Sequence, residues 1–266
     1  MMIPKIIHYC WFGRTQLSSN NIKCIESWKK YCPDYRIIEW NEDNFDLQTA
    51  PLYVRQAYDE KKWAFVTDYV RLYIIYSYGG VYFDTDVELI KNIDALLEYN
   101  AFFGFENNRY VATGLGFGAI SGFELIKKLL DDYERCPFIT DNGKYDMMPC
   151  PERNAHVFRE YGLEENGEKQ LLRDNVIVLS KEYLCPIDYT TSRKRITAHT
   201  FSIHWYDGSW VDEESKKYKQ KQMWLARFVG EKNADTILGI TLCMKREGIF
   251  SFFIKRLRKT QNTFRR

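Results

Sequence analysis

The chain alternates short apolar runs with longer stretches in which apolar residues return every three or four positions, and these two periods assign most of its elements. Residues 3–11 form a short apolar run ended by Gly13, which predicts a buried first strand. Residues 21–32 carry Ile22, Ile25 and Trp28 at helical spacing, with Pro33 as a stop. A second strand is predicted over 35–40 and a polar loop over 41–46. Two helices follow over 51–61 and 63–78, the second closed by Gly79-Gly80. Residues 81–86 read as a strand running into a loop, and 101–106 and 110–121 as further strands, the latter loosened by Gly114, Gly116 and Gly118. An amphipathic helix over 123–135, late strands over 175–180 and 197–206, and a helix with a basic outer face over 212–229 complete the pattern. Strands alternating with helices argue for an α/β layer fold with a mostly parallel central sheet. No internal repeat interrupts residues 1–240, which read as one domain, and 241–266 read as a basic amphipathic tail.

Charge refines this division. The formal net charge of +2 conceals a tail from Lys245 to Arg266 with eight basic residues and one acid, so that the rest of the 266-residue chain is mildly acidic. A folded body of that sign does not suit nucleic acid, whose binders carry positive charge on the folded surface. The most apolar stretch, 69–83, is broken by Arg71 and Gly79-Gly80 and is too short for a membrane span. The N-terminus lacks the basic start and apolar core of a signal peptide. Seven cysteines form no metal-binding spacing, as expected of reduced thiols in a cytoplasm. Aromatic residues at 16% suit sugar and base stacking, and equally suit a tyrosine-rich core.

The chemistry concentrates between Trp63 and Asp86. Asp68 and Arg71 lie three apart on a predicted helix and therefore share a face. An ion pair within an otherwise apolar helix is expensive to bury unless it is well paired or used. Along the following extended segment, Tyr82, Asp84 and Asp86 point to one side while Val81 and Phe83 point to the other. Two carboxylates at a strand end make an oxygen-ligand site for Mg²⁺ or Mn²⁺, and such an ion can neutralise a departing diphosphate. An Asp-x-Asp triplet alone is weak, since roughly one arises by chance in a chain of this size. Here the helix turns through Gly-Gly directly into the acidic strand, which puts both features in one neighbourhood. The Gly114-to-Gly118 run fits neither phosphate-loop spacing; its glycines either let the backbone pass near a sugar or soften a strand edge.

These residues resemble glycosyltransferase family 32, through Ile3-Pro4-Lys5-Ile6-Ile7-His8 and Trp11, Asp68-x-x-Arg71, Gly79-Gly80-x-Tyr82-x-Asp84-x-Asp86, and His204 with Ser209-Trp210. The pattern covers about the first 125 residues and the 199–210 block, and is similar to the core of the clostridial glucosylating toxins. The resemblance implies a GT-A type fold and retaining transfer of a hexose. It implies that Trp11 stacks on the donor's base, with Tyr9 and Cys10 lining that pocket through their backbones. Asp68 and Arg71 would hold ribose and hexose hydroxyls, with Gly80 and Tyr82 near the sugar. Asp84 and Asp86 would hold the metal and the donor, and Ser209 and Trp210 the diphosphate. The catalytic set expected is therefore Asp68, Arg71 and Asp86.

The third metal ligand is expected from the C-terminal strand, with His204 favoured, since imidazole is acceptable to Mn²⁺ beside carboxylates, and Asp207 as its competitor. His8 reads as structural, and His156 and His199 have no partner in the pattern. The expected activity is metal-dependent retaining transfer from a UDP-hexose to a saccharide in cell-surface polysaccharide assembly, working on a lipid-linked acceptor at the inner face of the plasma membrane. The tail would supply the membrane contact: Ile249, Phe252, Phe253 and Leu257 fall near one helical face beside basic residues. The alternatives are a toxin-like protein glucosyltransferase and a catalytically silent nucleotide-sugar-binding subunit; the intact Asp68, Arg71, Asp84 and Asp86 argue against silence.

Overall fold

The computed structural model describes residues 2–187, 194–208, 213–230, 233–234, 236–238 and 241. In chain order the elements are β1 (Ile6–Cys10), α1 (Ser19–Tyr31), β2 (Arg36–Trp40), α2 (Leu52–Asp59), α3 (Trp63–Tyr78), β3 (Gly80–Tyr82), β4 (Val87–Leu89), β5 (Ala101–Gly104) and β6 (Phe117–Ala119). They continue with α4 (Glu124–Glu134), α5 (Cys150–Glu160), β7 (Gln170–Leu172), β8 (Val176–Leu179), α6 (Lys181–Leu184), β9 (Ser202–His204) and α7 (Glu213–Val229). The chain divides into two compact units, one of Met1–Ile187 with Lys194–Trp210, the other of Asp188–Arg193 with Val211–Arg266.

In the first unit a seven-stranded sheet has the order β2-β1-β3-β6-β5-β8-β7. Strands β2, β1, β3, β5 and β8 run one way and only β6 and β7 oppose them, so the α/β class with a mostly parallel sheet is as expected. A separate two-stranded sheet pairs β4 with β9. Two apolar cores build around this arrangement, one including residues of α2, α3 and α4, the other Trp28 of α1 with Phe83, Val87 and Leu89.

Local chemistry explains the elements that frame the sheet's carboxyl edge. Ser18 caps α1, accepting from the Asn21 backbone N–H while the Asn21 side chain takes the Ser18 N–H, a reciprocal capping box. Trp28 of α1 donates through Nε1 to the Val87 carbonyl at 2.7 Å, and Ser27 Oγ accepts from the Leu89 N–H at 2.8 Å, so α1 pins β4 in place. Helix α3 is buried over most of its length and ends at Gly79 with φ +66°, followed by Gly80 with φ +109°. That left-handed pair reverses the chain from helix into strand, which glycine does at no steric cost. A side chain on Gly80 would also meet the Ile6 carbonyl at 2.8 Å and the His8 ring at 3.0 Å. His8 is fully buried in β1, where Trp40 Nε1 can only donate to its Nδ1, at 3.0 Å. Its Nε2 therefore carries the proton and donates to the Gly79 carbonyl at 3.0 Å. Burial holds the imidazole neutral, with its pKa pushed down to about 4, so His8 is the structural residue expected of it.

Three expectations change. The strand over 81–86 is confined to Gly80–Tyr82, because the chain leaves the sheet at Phe83 and turns so that Val87 can start a second sheet with β9. The strand over 110–121 shortens to Phe117–Ala119, preceded by a single 3₁₀ turn at Thr113–Leu115. Residues 136–195, which carried no legible motif, supply α5, β7, β8 and α6, of which only β8 was foreseen. In the second unit, α7 ends at Gly230 with φ +79°, and Trp224 and Phe228 pack ring to ring at 5.2 Å on its exposed face. Among the described residues no helix is long and apolar enough to cross a membrane. The tail, apart from Thr241, lies outside the described residues, as do Ser209 and Trp210.

Candidate active site

The parallel strands β1 and β3 end side by side, and ligands of open α/β sheets bind beyond such carboxyl ends. Cys10 and Trp11 leave β1 there, and Asp84 follows β3 by two residues. The antiparallel β6 pairs Tyr82 with Phe117, which sets the preceding turn, Thr113 and Gly114, against the same edge. Strand β9 pairs His204 with Val87, one residue past Asp86. Four distant stretches thus meet because of strand direction alone.

Arg71 is the centre of the arrangement. Its guanidinium lies 3.1 Å from Asp68 Oδ1 and 3.5 Å from Asp84 Oδ1, with its side chain only 5% exposed. It donates from Nε to the Thr67 carbonyl at 3.0 Å and from one terminal nitrogen to Thr113 Oγ1 at 3.4 Å, and stacks over the Tyr82 ring at 5.2 Å. The Tyr82 hydroxyl donates to Asp84 Oδ1 at 2.9 Å. Asp86 Oδ1 sits 3.1 Å from His204 Nε2, and its Oδ2 accepts the Asp207 N–H at 2.9 Å. The intervening Thr85 hydroxyl accepts from Asn21 in the first turn of α1 at 3.2 Å, which anchors the acidic turn to that helix.

The charges are held far from their ordinary states. Burial raises the Asp68 pKa to about 6, against the opposing pull of Arg71. Burial likewise raises Asp84, again against Arg71, and neighbouring Asp86 adds to the rise. Asp86 moves the other way: burial would raise it, but the His204 imidazole and the Asp207 N–H outweigh that and hold it below the usual range. Burial opposes a proton on His204, yet the Asp86 carboxylate overcomes this and raises its pKa. Arg71 stays charged throughout, since Asp84, Tyr82 and Asp68 outweigh its own desolvation. Two carboxylates share one buried cation, so the site carries unsatisfied negative charge.

That charge suits a divalent cation. Asp84, Asp86 and His204 each offer one ligand atom, and these atoms all lie within 4.8 Å of one another. His204 Nδ1 is buried with no hydrogen-bond partner among the described residues. Two carboxylates with one imidazole are acceptable to Mn²⁺ and, less well, to Mg²⁺. Asp207 is not in that group; its Oδ2 accepts from Asn20 Nδ2 at 2.6 Å. Gly114 seals one wall: a Cβ there would collide with Asp84 Oδ2 and lie 3.1 Å from the Arg71 guanidinium.

The structure brings Asp68, Arg71, Tyr82, Asp84, Asp86 and His204 together. Cys10 lies buried near the same group, where burial raises its pKa and the Arg71 charge opposes the rise. Trp11 is half-buried at the end of β1, its indole N–H donating to the Thr15 carbonyl at 2.6 Å. The Tyr9 side chain leaves the cluster and donates to Glu39 at 2.7 Å. Close packing against β1 accounts for Gly80. His156 has a partner after all, Asp132 at 3.4 Å, and His199 stacks on Tyr183 at 5.5 Å. Sequence reasoning missed Thr113, for which adjacency to the glycine run was the available signal, and Cys150, for which there was none. Cys150 opens α5 with its Sγ 3.8 Å from Thr113 Oγ1 and its thiol on the Asp68 carboxylate.

Residues 18–103 of the chain match the family model described as the glycosyltransferase sugar-binding region containing the DXD motif, and Asp68, Arg71, Asp84 and Asp86 all lie inside that segment. The chain is 36% identical over 110 residues to inositol phosphoceramide mannosyltransferase 3 of Schizosaccharomyces pombe, covering 37% of this chain and 28% of that protein. It is 31% identical over 110 residues to inositol phosphoceramide mannosyltransferase 2 of the same yeast, covering 37% and 29%. The matched segment therefore spans under a third of the length of either relative. Among solved structures, PaToxG glycosyltransferase is similar at 19% identity and a TM-score of 0.48, covering 60% of this chain and 70% of that one. A glycosyltransferase involved in glycosylation of the major capsid of PBCV-1 is similar at 16% identity and a TM-score of 0.43, covering 82% and 99%. The segment 18–103 is thus similar to a glycosyltransferase sugar-binding region, and Asp84-Thr85-Asp86 is an Asp-x-Asp triplet inside it.

Proposed function

We propose that this protein is a metal-dependent glycosyltransferase of the GT-A type that moves a hexose, with retention, from a nucleotide sugar to a saccharide acceptor. The observation that carries the reading is the convergence of Asp84, Asp86 and His204 beside the buried Asp68–Arg71 pair. A divalent cation bound there would supply charge neutralisation to the departing nucleoside diphosphate. Arg71 is fixed by Thr67, Thr113 and Asp68 before any donor arrives, so its positive charge is preorganised and costs little reorganisation during the reaction. Asp68 accepts hydroxyl hydrogens of the donor, Trp11 offers a ring for the base, and Ser209 and Trp210 are assigned to the diphosphate. UDP is the expected nucleotide, and the two mannosyltransferase relatives make mannose the hexose to set against glucose and galactose. Their names also carry a lipid acceptor, inositol phosphoceramide, which supports a lipid-linked acceptor for this protein.

The test is a panel of UDP- and GDP-hexoses incubated with the protein and Mn²⁺, measuring released diphosphate and, by NMR, the anomeric configuration of the product. One donor should be turned over with retention, activity should vanish in excess EDTA and return best with Mn²⁺, and Asp86→Ala should be folded and inactive. Full activity in EDTA sinks the metal-dependent mechanism, and an inverted product sinks retention.

A further inference from the structure

Helix α7 contributes none of the residues assigned to the site, yet its side chains carry a pattern that needs an explanation of its own. Lys217, Lys221, Trp224 and Phe228 are all exposed. They are spaced by four, three and four residues, and at roughly 3.6 residues per turn this keeps them within about 60° of one another around the helix. Ala226 lies two residues from each aromatic side chain, hence on the opposite side, and it is buried. The stripe is therefore the outward face of α7. Trp224 is 60% exposed and Phe228 72%, and their rings pack 5.2 Å apart across one helical turn. Val229 beside them is exposed as well. Single apolar residues on a surface are ordinary. A tryptophan and a phenylalanine in mutual contact form a patch that gains by leaving water.

The charge of α7 is equally one-sided. From Ser215 to Val229 the sequence holds five basic residues, Lys216, Lys217, Lys219, Lys221 and Arg227, and no acid. Glu213 and Glu214 are confined to the first turn, where the helix dipole favours them. A flat anionic surface answers both halves of the stripe at once. Lysine stems lie along an apolar boundary while their ammonium groups reach phosphates, and aromatic rings settle at headgroup depth. A protein partner would need a pocket for the rings beside a matched acidic patch, and a second copy of this helix would repeat the positive charge across the interface. We propose that the outward stripe of α7 docks on an anionic phospholipid bilayer, with Trp224 and Phe228 entering the headgroup region and Lys217 and Lys221 on lipid phosphates. The proposal does not rest on the transferase reading. It is also separate from the basic segment that starts at Lys245, to which it adds an aromatic anchor. A single weak signal anchors a protein only reversibly and two together hold it, so removing either one lowers binding steeply.

The experiment uses the full chain and protein-free vesicles of phosphatidylcholine with or without phosphatidylglycerol, the anionic ones also prepared with brominated acyl chains that quench tryptophans close to them. The parent should bind anionic vesicles at low salt, bind neutral ones at least roughly tenfold more weakly, and lose part of its tryptophan fluorescence to the brominated lipid. Trp224→Phe should keep the binding and lose most of that quenching, because residues 245–266 contain no tryptophan. Trp224→Ser combined with Phe228→Ser should partition roughly tenfold or more weakly. Lys217→Gln combined with Lys221→Gln should lose roughly 25-fold, at about fivefold per lysine. All four side chains are exposed, so melting temperature and donor turnover on a soluble acceptor should match the parent. A parent that ignores anionic vesicles, or variants that keep its partitioning and quenching, overturns the proposal and leaves the transferase reading intact. An altered oligomeric state in the serine variant, with vesicle binding unchanged, overturns it in favour of a second copy of the chain.

Discussion

At the scale of single residues the site works by placing charge where water cannot screen it. Among the described residues Arg71 is the cation in ion-pair contact with both Asp68 and Asp84, and its removal leaves those two buried carboxylates without it. Arg71→Ala is therefore expected to cost about 3–5 kcal/mol of stability, the range for breaking a buried pair, and to abolish donor binding in calorimetry. If the variant melts lower but binds donor like the parent, the pair is merely structural. Asp68 adds a pH signature. Burial holds its pKa at about 6, above the unfolded value near 3.9, so the folded chain binds its proton more tightly than the unfolded chain. The contribution to stability is full at low pH and is lost as pH rises from about 4 to about 6. Donor affinity should run the opposite way, rising around pH 6 as Asp68 ionises in the folded protein. Calorimetric titrations between pH 4.5 and 8 should show this step in the parent and a flat, weaker profile in Asp68→Asn. The same step in both proteins would assign the titration elsewhere.

At the scale of elements the carboxylates are positioned from outside their own segment. The acidic turn has no strand to hold it beyond Tyr82; it is held by α1 through Asn21 and Trp28, by β9 through the Asp86–His204 pair, and by the Thr113–Leu115 turn through Gly114. The last contact is the tightest, since the Asp84 carboxylate occupies the space a side chain at 114 would need. Gly114→Ala should displace that carboxylate and weaken Mn²⁺ binding by roughly 10–100-fold, the usual effect of disturbing the support of a ligand. The fold should change little, because Gly114 sits in a turn and needs no left-handed backbone. Metal titration followed by calorimetry or by Mn²⁺ electron paramagnetic resonance decides the point, and parent-like affinity would mean that Asp84 is not a ligand.

At the scale of the whole molecule, charge is segregated: eight of the basic residues fall in the final stretch from Lys245, while the remainder is acidic on balance. Each lysine or arginine near an anionic bilayer contributes about 1 kcal/mol, so a tail of this composition can hold an enzyme at a membrane. A chain truncated after residue 244 should keep donor turnover and lose co-sedimentation with anionic vesicles at low salt. Full-length protein that ignores such vesicles removes the membrane reading and leaves the catalytic one untouched.

What the chain determines locally is legible in it. The 3.6-residue apolar period of α1, α3 and α4, the Gly79-Gly80 reversal and the short apolar runs of β1, β2, β5 and β8 each depend on neighbours a few positions away, and the structure places all of them within a few residues of expectation. The Asp68–Arg71 pair and the Asp84-Thr85-Asp86 turn were visible for the same reason, since helix spacing and the chain reversal by themselves put them in one neighbourhood. Only the tertiary structure decided that β6 runs against β3 and so carries Thr113 and Gly114 to the acidic turn, that β9 delivers the His204 imidazole to Asp86, and that α5 brings Cys150 to Thr113. These placements come from three-residue strands and one helix face whose partners lie far along the chain. Their pairing is set by the summed burial of the two cores and not by any local period, which is why no window of the sequence displays it.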